Sequence, residues 1–269
     1  MPAHADIDVR MKTYYEQIPK TRLMRRTPVI IRIDGKAFHS FTHGFQKPFD
    51  DILVKAMQGT MKYLCKNIQG CVLGYHQSDE ISLVLIDYKK LTSQAWFDYE
   101  VQKMCSISAS MATMAFNKAF NELAGEFLFD NEERESVADY WNALSKSMDM
   151  GAMFDSRCFN IPKEEVTNYI YSRQIDAARN SVQMVGQHYF SHGQLQHKSC
   201  NKIQDMLFME HGVNWNDFPT HLKRGSCCVK VEIPLQDDKK QTGWIIDTEI
   251  PMFKGVDREY IEKLIKPEE

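Results

Sequence analysis

The sequence predicts an α/β (α+β) protein built on the split βαβ, ferredoxin-like order β-α-β-β-α-β, with additional helical and β elements. Three observations carry that reading. The runs 28–33, 71–75 and 81–86 have the length and β-branched, apolar composition of buried strands. Apolar residues at helical spacing follow the first and third of them. The second and third are joined only by the polar link His76–Glu80, which fits a hairpin although it lacks an Asn-Gly or Asp-Gly turn.

Taken in order, residues 12–20 read as a short helix or an arm leading into the first strand. Pro28–Ile33 reads as a central strand, begun by a proline where the missing N–H does least harm. The chain then turns polar through Asp34, Gly35 and Lys36. After Lys47–Asp50, the residues Ile52, Leu53, Ala56, Met57, Met61 and Leu64 recur at helical spacing. Pro48 suits the first turn of that helix, and Asp50 and Asp51 suit its positive end. A long helix is expected over 92–123, with Met104, Met111 and Met114 filling core beside Ile107, Ala115 and Phe116. The acidic run Asp130–Glu135 reads as an exposed connection or helix start, and 152–160 as a fourth strand. Helices over 164–186 and 199–210 and a β segment at 227–233 complete the chain. In a split βαβ sheet the first and third strands are neighbours, so Asp34, leaving one, and Asp79, entering the other, approach each other.

Composition bounds the class. The 269 residues are 43% hydrophobic and 26% charged, an ordinary globular balance with enough apolar material for a core. The apolar runs are too short to cross a bilayer and the N-terminus does not read as a secretory signal, so a cytoplasmic protein without membrane association is expected. Seven cysteines, an odd number without a C-x-x-C pair, favour reduced thiols. Net charge is −3, but base is clustered in Lys20, Arg22, Arg25, Arg26, Arg32 and Lys36, and again in Lys223, Arg224 and Lys230. Such clusters suit an RNA backbone but on their own are more often solvated surface. Neither a phosphate loop nor a dinucleotide fingerprint occurs, and His188 and His192, although four apart, are followed by Gly193 and have no H-E-x-x-H glutamate.

The most informative pair is Asp34 in I-R-I-D-G and Asp79 in H-Q-S-D-E. Two carboxylates brought together repel unless a cation, a proton or hydrogen bonds compensate them. Oxygen donors suit Mg²⁺, and two such ions lower the charge barrier to phosphoryl transfer. The Gly35 carbonyl is a further candidate ligand, because glycine admits close approach. On pattern alone, both aspartates are equally readable as turn residues. Glu80 stands open as a third carboxylate near the metals or an exposed turn acid, and a supporting role is preferred. Lys36, Lys47 and Lys103 have the mobile point charge that suits a triphosphate, although any one lysine is more often solvated surface.

In combination, P-V-I-I-R-I-D-G-K-A-F-H-S-F-T at 28–42, K-P-F-D at 47–50 and G-Y-H-Q-S-D-E-I-S at 74–82 resemble the tRNA-His guanylyltransferase family. F-D-S-R at 154–157, R-Q-I-D-A at 173–177 and K-R-G at 223–225 extend the resemblance over residues 15–235. It implies a catalytic domain shaped like the palm of ordinary polymerases over 1–160, with an N-terminal arm. A mainly helical region with a β segment over 161–269 would pack on the palm and contribute to tRNA binding and oligomerisation as a homotetramer. Asp34, Gly35 and Asp79 then match the metal set for Mg²⁺, Lys47 and Lys103 match positions linked to nucleotide handling, and His39 and Ser78 match positions near the activating nucleotide. The implied reaction activates a tRNA 5' end with ATP and adds nucleotides from GTP or other nucleoside triphosphates in the 3'-to-5' direction.

One departure bears on the substrate. Eukaryotic members that add a nontemplated G to tRNA-His carry H-I-N-N-L-Y-N after R-Q-x-D, whereas here Ala178 stands in the histidine position and Asn180 survives. That resembles the bacterial or archaeal "like protein" branch and favours templated repair of 5'-truncated tRNAs over identity-element synthesis. A palm-type nucleotide cyclase and a noncatalytic RNA-binding protein are the alternatives from other classes.

Overall fold

The computed structural model describes residues 3–131, 137–234 and 240–266, so most of the acidic run lies outside the described residues. Strand β1 (Val29–Gly35) leads through the four-residue helix α2 (Phe38–Phe41) to α3 (Asp51–Asn67). The hairpin of β2 (Cys71–Gln77) and β3 (Glu80–Leu85) follows, then α4 (Val101–Asp130), α5 (Ala138–Met150) and β4 (Phe154–Asn160). Ahead of them stands α1 (Ala3–Met11), continued by a π-helical turn over Lys12–Glu16. Behind them come α6 (Val166–Tyr189), α7 (His192–Leu195), α8 (Cys200–His211), α9 (Thr220–Arg224), β5 (Ser226–Pro234), β6 (Lys240–Asp247) and α10 (Glu259–Glu262).

The six strands form one antiparallel sheet in the order β4-β1-β3-β2-β5-β6. The first four positions are the split βαβ arrangement read from the sequence, and β5 and β6 extend it at the β2 edge. Alternation along β1 divides the core. Val29, Ile31 and Ile33 face α3 and α4, packing with Met57, Met61, Phe116 and Phe120. Ile30 faces the opposite side, where Val166 and Ile170 of α6 meet Ile250 and Phe253. By the same period of two, Arg32 and Asp34 share the α6 side. A third cluster joins Val182 and Val185 of α6 to Ile203 and Leu207 of α8.

Local chemistry moves several expected boundaries. Helix α3 begins at Asp51, not at Pro48, because the Asp50 carboxylate caps it by accepting from Leu53 N at 2.9 Å and also holds Gln46 N at 3.1 Å. Helix α4 begins at Val101 rather than near 92, since Phe97, Asp98 and Tyr99 carry positive φ and break the helical path. Its outer face leaves Met114 54% exposed, so that methionine is not core filling, whereas Met104 is fully buried. His188 and His192 lie on different helices, α6 and α7, and form no i,i+4 pair.

Candidate active site

Cross-strand register places Asp34 opposite Glu80, with Asp79 in the two-residue turn just before it. Gly35 N donates to Asp79 O at 3.1 Å and ties the end of β1 to that turn. Burial pushes the Asp79 carboxyl above its ordinary range, and the negative charge of Asp34 pushes the same way. A carboxylate whose charged form is disfavoured by burial and by a neighbouring carboxylate is donor chemistry that a divalent cation relieves. No group of three or more His, Cys, Asp or Glu suited to a metal occurs among the described residues. Asp34, Asp79 and the Gly35 carbonyl are oxygen donors, the kind that could hold a hard divalent cation completed by phosphate oxygens and water.

Glu80 is neither an exposed turn acid nor a free third ligand. It is 3% exposed and accepts from Arg173 through Nε at 2.7 Å and Nη2 at 2.6 Å, a bidentate pair. Arg32 Nη2 lies 2.8 Å from Glu80 and 3.2 Å from Asp34, and Arg157 lies 3.7 Å from Asp34. Asp176 in turn holds Arg173 at 3.1 Å and also pairs with Arg179. Arg32, Arg173 and Asp176 were not singled out as site residues. The signal for Arg32 was its two-residue offset from Asp34, which puts both on one face.

Beside the Ser78–Asp79 turn lies an open, mainly apolar cleft. Its walls are Phe49, Asp50, Leu53 and Val54 at the start of α3, His76 to Ser78, the α6 stripe Ala177, Ser181 and Met184, and the α9 segment with His221, Leu222 and Gly225. Gly225 (φ 83°) is required there, because a Cβ would stand 2.4 Å from the His76 carbonyl oxygen. Gly35 has a different reason: a Cβ would enter the Phe38 ring at 2.2 Å, so packing alone excludes a side chain at this position.

His76 is buried beneath the cleft. Its Nε2 donates to Ser78 O at 2.9 Å, which fixes the tautomer, and its Nδ1 faces Ser226 Oγ at 3.4 Å. Burial lowers its pKa from 6.5 to about 4. Between those values the unfolded chain binds more protons than the folded one, so stability is lost as pH falls through 6.5 toward 4. The full loss is about 3 kcal/mol. Urea titrations over that range are expected to show this slope in the native protein and a shallower one in His76→Gln. An identical slope in the variant would assign the effect elsewhere.

The sequence-predicted residues fall into two groups. Asp34, Gly35, Lys36 and His39 run along the end of β1 and into α2, with both Lys36 and His39 exposed. Ser78 and Asp79 face them on the hairpin turn, and Ser78 lines the cleft, as does Phe49, two residues from the exposed Lys47. Lys103 does not join them within one chain. It sits in the first turn of α4, its ammonium 4.8 Å from the Phe97 ring centroid. Cys105 meets Cys158 at that end of β4, whereas Thr113 meets Phe154 beside Gly35. Ten helical residues, about 15 Å, separate Lys103 from Thr113. The basic clusters are also partly spent. Arg22 and Arg25 pair with Asp98, Arg25 with Asp87, and Lys223 is buried and donates to Asn216 O.

A split βαβ sheet that brings two carboxylates to adjoining strand ends beside a cleft is the arrangement of a palm-type nucleotidyltransferase. A family model described as tRNAHis guanylyltransferase matches residues 8–162. A solved bacterial tRNA(His) guanylyltransferase-like protein in complex with ATP is 40% identical, with a TM-score of 0.79, covering 97% of this chain and 99% of that one. Its counterpart in complex with GTP is 38% identical with a TM-score of 0.77 and the same coverage. A probable tRNA(His) guanylyltransferase of Dictyostelium discoideum is 28% identical over 234 residues, 82% of this chain and 81% of that protein. The chain belongs to the tRNA(His) guanylyltransferase family, as its linked motifs implied.

Proposed function

We propose that this enzyme is a metal-dependent 3'-to-5' nucleotidyltransferase that activates a tRNA 5' end with ATP and adds nucleotides to 5'-truncated tRNAs under the direction of the opposing strand. The observation that carries the reading is the cleft beside the Ser78–Asp79 turn, which adjoins the Asp34–Asp79 pair in a chain 40% identical to a protein solved with ATP.

In this reading an oxygen of the 5'-monophosphate attacks the α-phosphorus of ATP and pyrophosphate leaves. The 3'-hydroxyl of the incoming nucleoside triphosphate then attacks the activated 5' phosphorus, AMP leaves, and the new end carries the triphosphate. Asp34, Asp79 and the Gly35 carbonyl would hold two Mg²⁺, which supply charge neutralisation and alignment of the reacting oxygens. Lys36 and Lys47, both exposed near this end, screen triphosphate charge. His39 and Ser78 flank the activating nucleotide. Lys103, in the first turn of α4 and ten residues before Thr113, takes part in nucleotide handling only where substrate or a second subunit of the homotetramer reaches it.

Base pairing can choose the incoming nucleotide without a protein pocket for each base. Ala178, in place of the histidine of the eukaryotic motif, supports that mode over dedicated G addition. With a tRNA lacking its first nucleotide and each nucleoside triphosphate supplied singly, the added base is expected to follow the opposing base through a compensatory change of both. Overall binding weakens with salt. Addition of G alone, to tRNA-His alone, whatever the opposing base, would replace the repair reading with the nontemplated one. A cyclic nucleotide formed without RNA would replace both.

A further inference from the structure

Asp79 sits between two peptide groups that are each tied down. On its C-terminal side, the Asp79 carbonyl oxygen accepts from Gly35 N at 3.1 Å, which anchors it to β1. On its N-terminal side, the Ser78 carbonyl oxygen accepts from the ring of His76 at 2.9 Å. Ser78 needs that restraint. Its φ of 52° is a left-handed conformation that a residue with a Cβ seldom adopts, and such conformations persist where the surrounding structure over-determines them.

The ring is itself held from behind. A carbonyl oxygen can only accept, so the proton lies on Nε2 and the lone pair on Nδ1. Nδ1 then accepts from the Ser226 hydroxyl at 3.4 Å, and Ser226 Oγ accepts from Gln58 Nε2 at 3.3 Å. Every donor in this chain points the same way, from α3 through β5 to the hairpin turn. Its members are enclosed, with His76 4% exposed and Ser226 fully buried, and a satisfied buried network of this kind is rigid.

That bond reaches the carboxylate through the backbone. The Ser78–Asp79 peptide is planar and trans, so fixing its C=O also fixes the direction of the Asp79 N–H on the opposite edge. Burial disfavours the charged Asp79 carboxylate, and that same N–H works against burial by donating to it.

We propose that His76 is a positioning residue for nucleotidyl transfer, its Nε2–H locking the Ser78–Asp79 peptide and so holding the Asp79 carboxylate in the orientation that binds the cation. The proposal rests on the reading of Asp79 as a metal ligand. The ring acts through the turn, not on the substrate.

The test measures binding of Mn²⁺, standing in for Mg²⁺, by loss of the free-ion EPR signal in the presence of the α,β-methylene analogue of ATP, which cannot be cleaved at that bond. His76→Phe keeps a flat ring and removes the donor, and is expected to weaken Mn²⁺ binding on the order of tenfold. His76→Gln, whose side-chain amide can stand near the Nε2 position, restores most of the native affinity. Affinity for the analogue without metal stays at the native value in both. Native Mn²⁺ affinity in His76→Phe overturns the proposal. So does an equal weakness in His76→Gln, or a loss of analogue binding without metal that matches the loss of Mn²⁺, because either marks a general structural role. Should His76→Phe fail to fold, Ser226→Ala carries the test, since it frees Nδ1 and leaves the Nε2 bond in place; weaker Mn²⁺ binding is expected, and native affinity overturns the proposal. Asp79→Asn separates the two levels. If it binds Mn²⁺ as the native enzyme does, the metal role of Asp79 fails and the proposal with it. If it loses Mn²⁺ while His76→Phe does not, only the role of His76 fails.

Discussion

Asp34→Asn and Asp79→Asn are each expected to lower nucleotide addition by a factor on the order of a hundred to a thousand, with the fold intact. The fold survives because neither substitution strands a charge. Without Asp34, Arg32 keeps Glu80 at 2.8 Å and Arg157 keeps Asp155 at 3.1 Å. Without the Asp79 carboxylate, a group whose charged form is disfavoured by burial and by Asp34 has been removed, so stability holds or rises. The asparagines retain shape and lose the negative charge on which cation binding depends. Activation and addition are measured separately across a Mg²⁺ titration, with urea unfolding of each variant alongside. Near-native turnover at subsaturating Mg²⁺ in either variant would remove that residue from the metal set.

Glu80→Ala is expected to be the costliest single change in this region, at about 3–5 kcal/mol of stability. The carboxylate is almost fully enclosed, and Arg173 binds it bidentately while Arg32 approaches from β1. Its removal leaves two guanidinium groups with too few acceptors. Arg32 is then left to Asp34, so the surviving protein should also require more Mg²⁺ for half-maximal activity. Unfolding gives the first effect and the metal titration the second. A variant as stable as the native protein would show that the buried pair merely offsets its own desolvation. An unshifted metal requirement would show that Arg32 does not compete for Asp34.

The sheet was legible because its signals are local. Period-two burial in β1 and the short hairpin link give the strand order, and with it the approach of Asp34 to Asp79. Strand β6 was not read, because Lys240–Asp247 begins with Lys, Gln, Thr and Gly and borrows its pairing from β5. The start of α4 was set too early because Trp96, Phe97 and Tyr99 imitate helical spacing, while their backbone leaves the helix. Within the site, the two aspartates were recognisable from strand-end placement, but the state of Glu80 was not. Arg173, its bidentate partner, is 93 residues away, and no local pattern marks an ion pair closed by tertiary packing. The cleft was silent for the same reason, since its wall is assembled from four separated segments.

Helix α6 carries Arg173 and, farther along the same stripe, Ala177, Ser181 and Met184, while Val182 and Val185 turn toward α8. The carboxylate end and the cleft thus share one beam, but the two lengths of that beam rest on different foundations. The Arg173 end is fixed to the central sheet through Glu80, and the cleft end is seated on the small cluster with Ile203 and Leu207. Repacking that satellite cluster can tilt the cleft wall by fractions of an ångström without disturbing the strands that present Asp34 and Asp79. Substrate choice can therefore drift along a lineage, through changes in residues that touch no substrate, while the reacting centre is inherited unchanged.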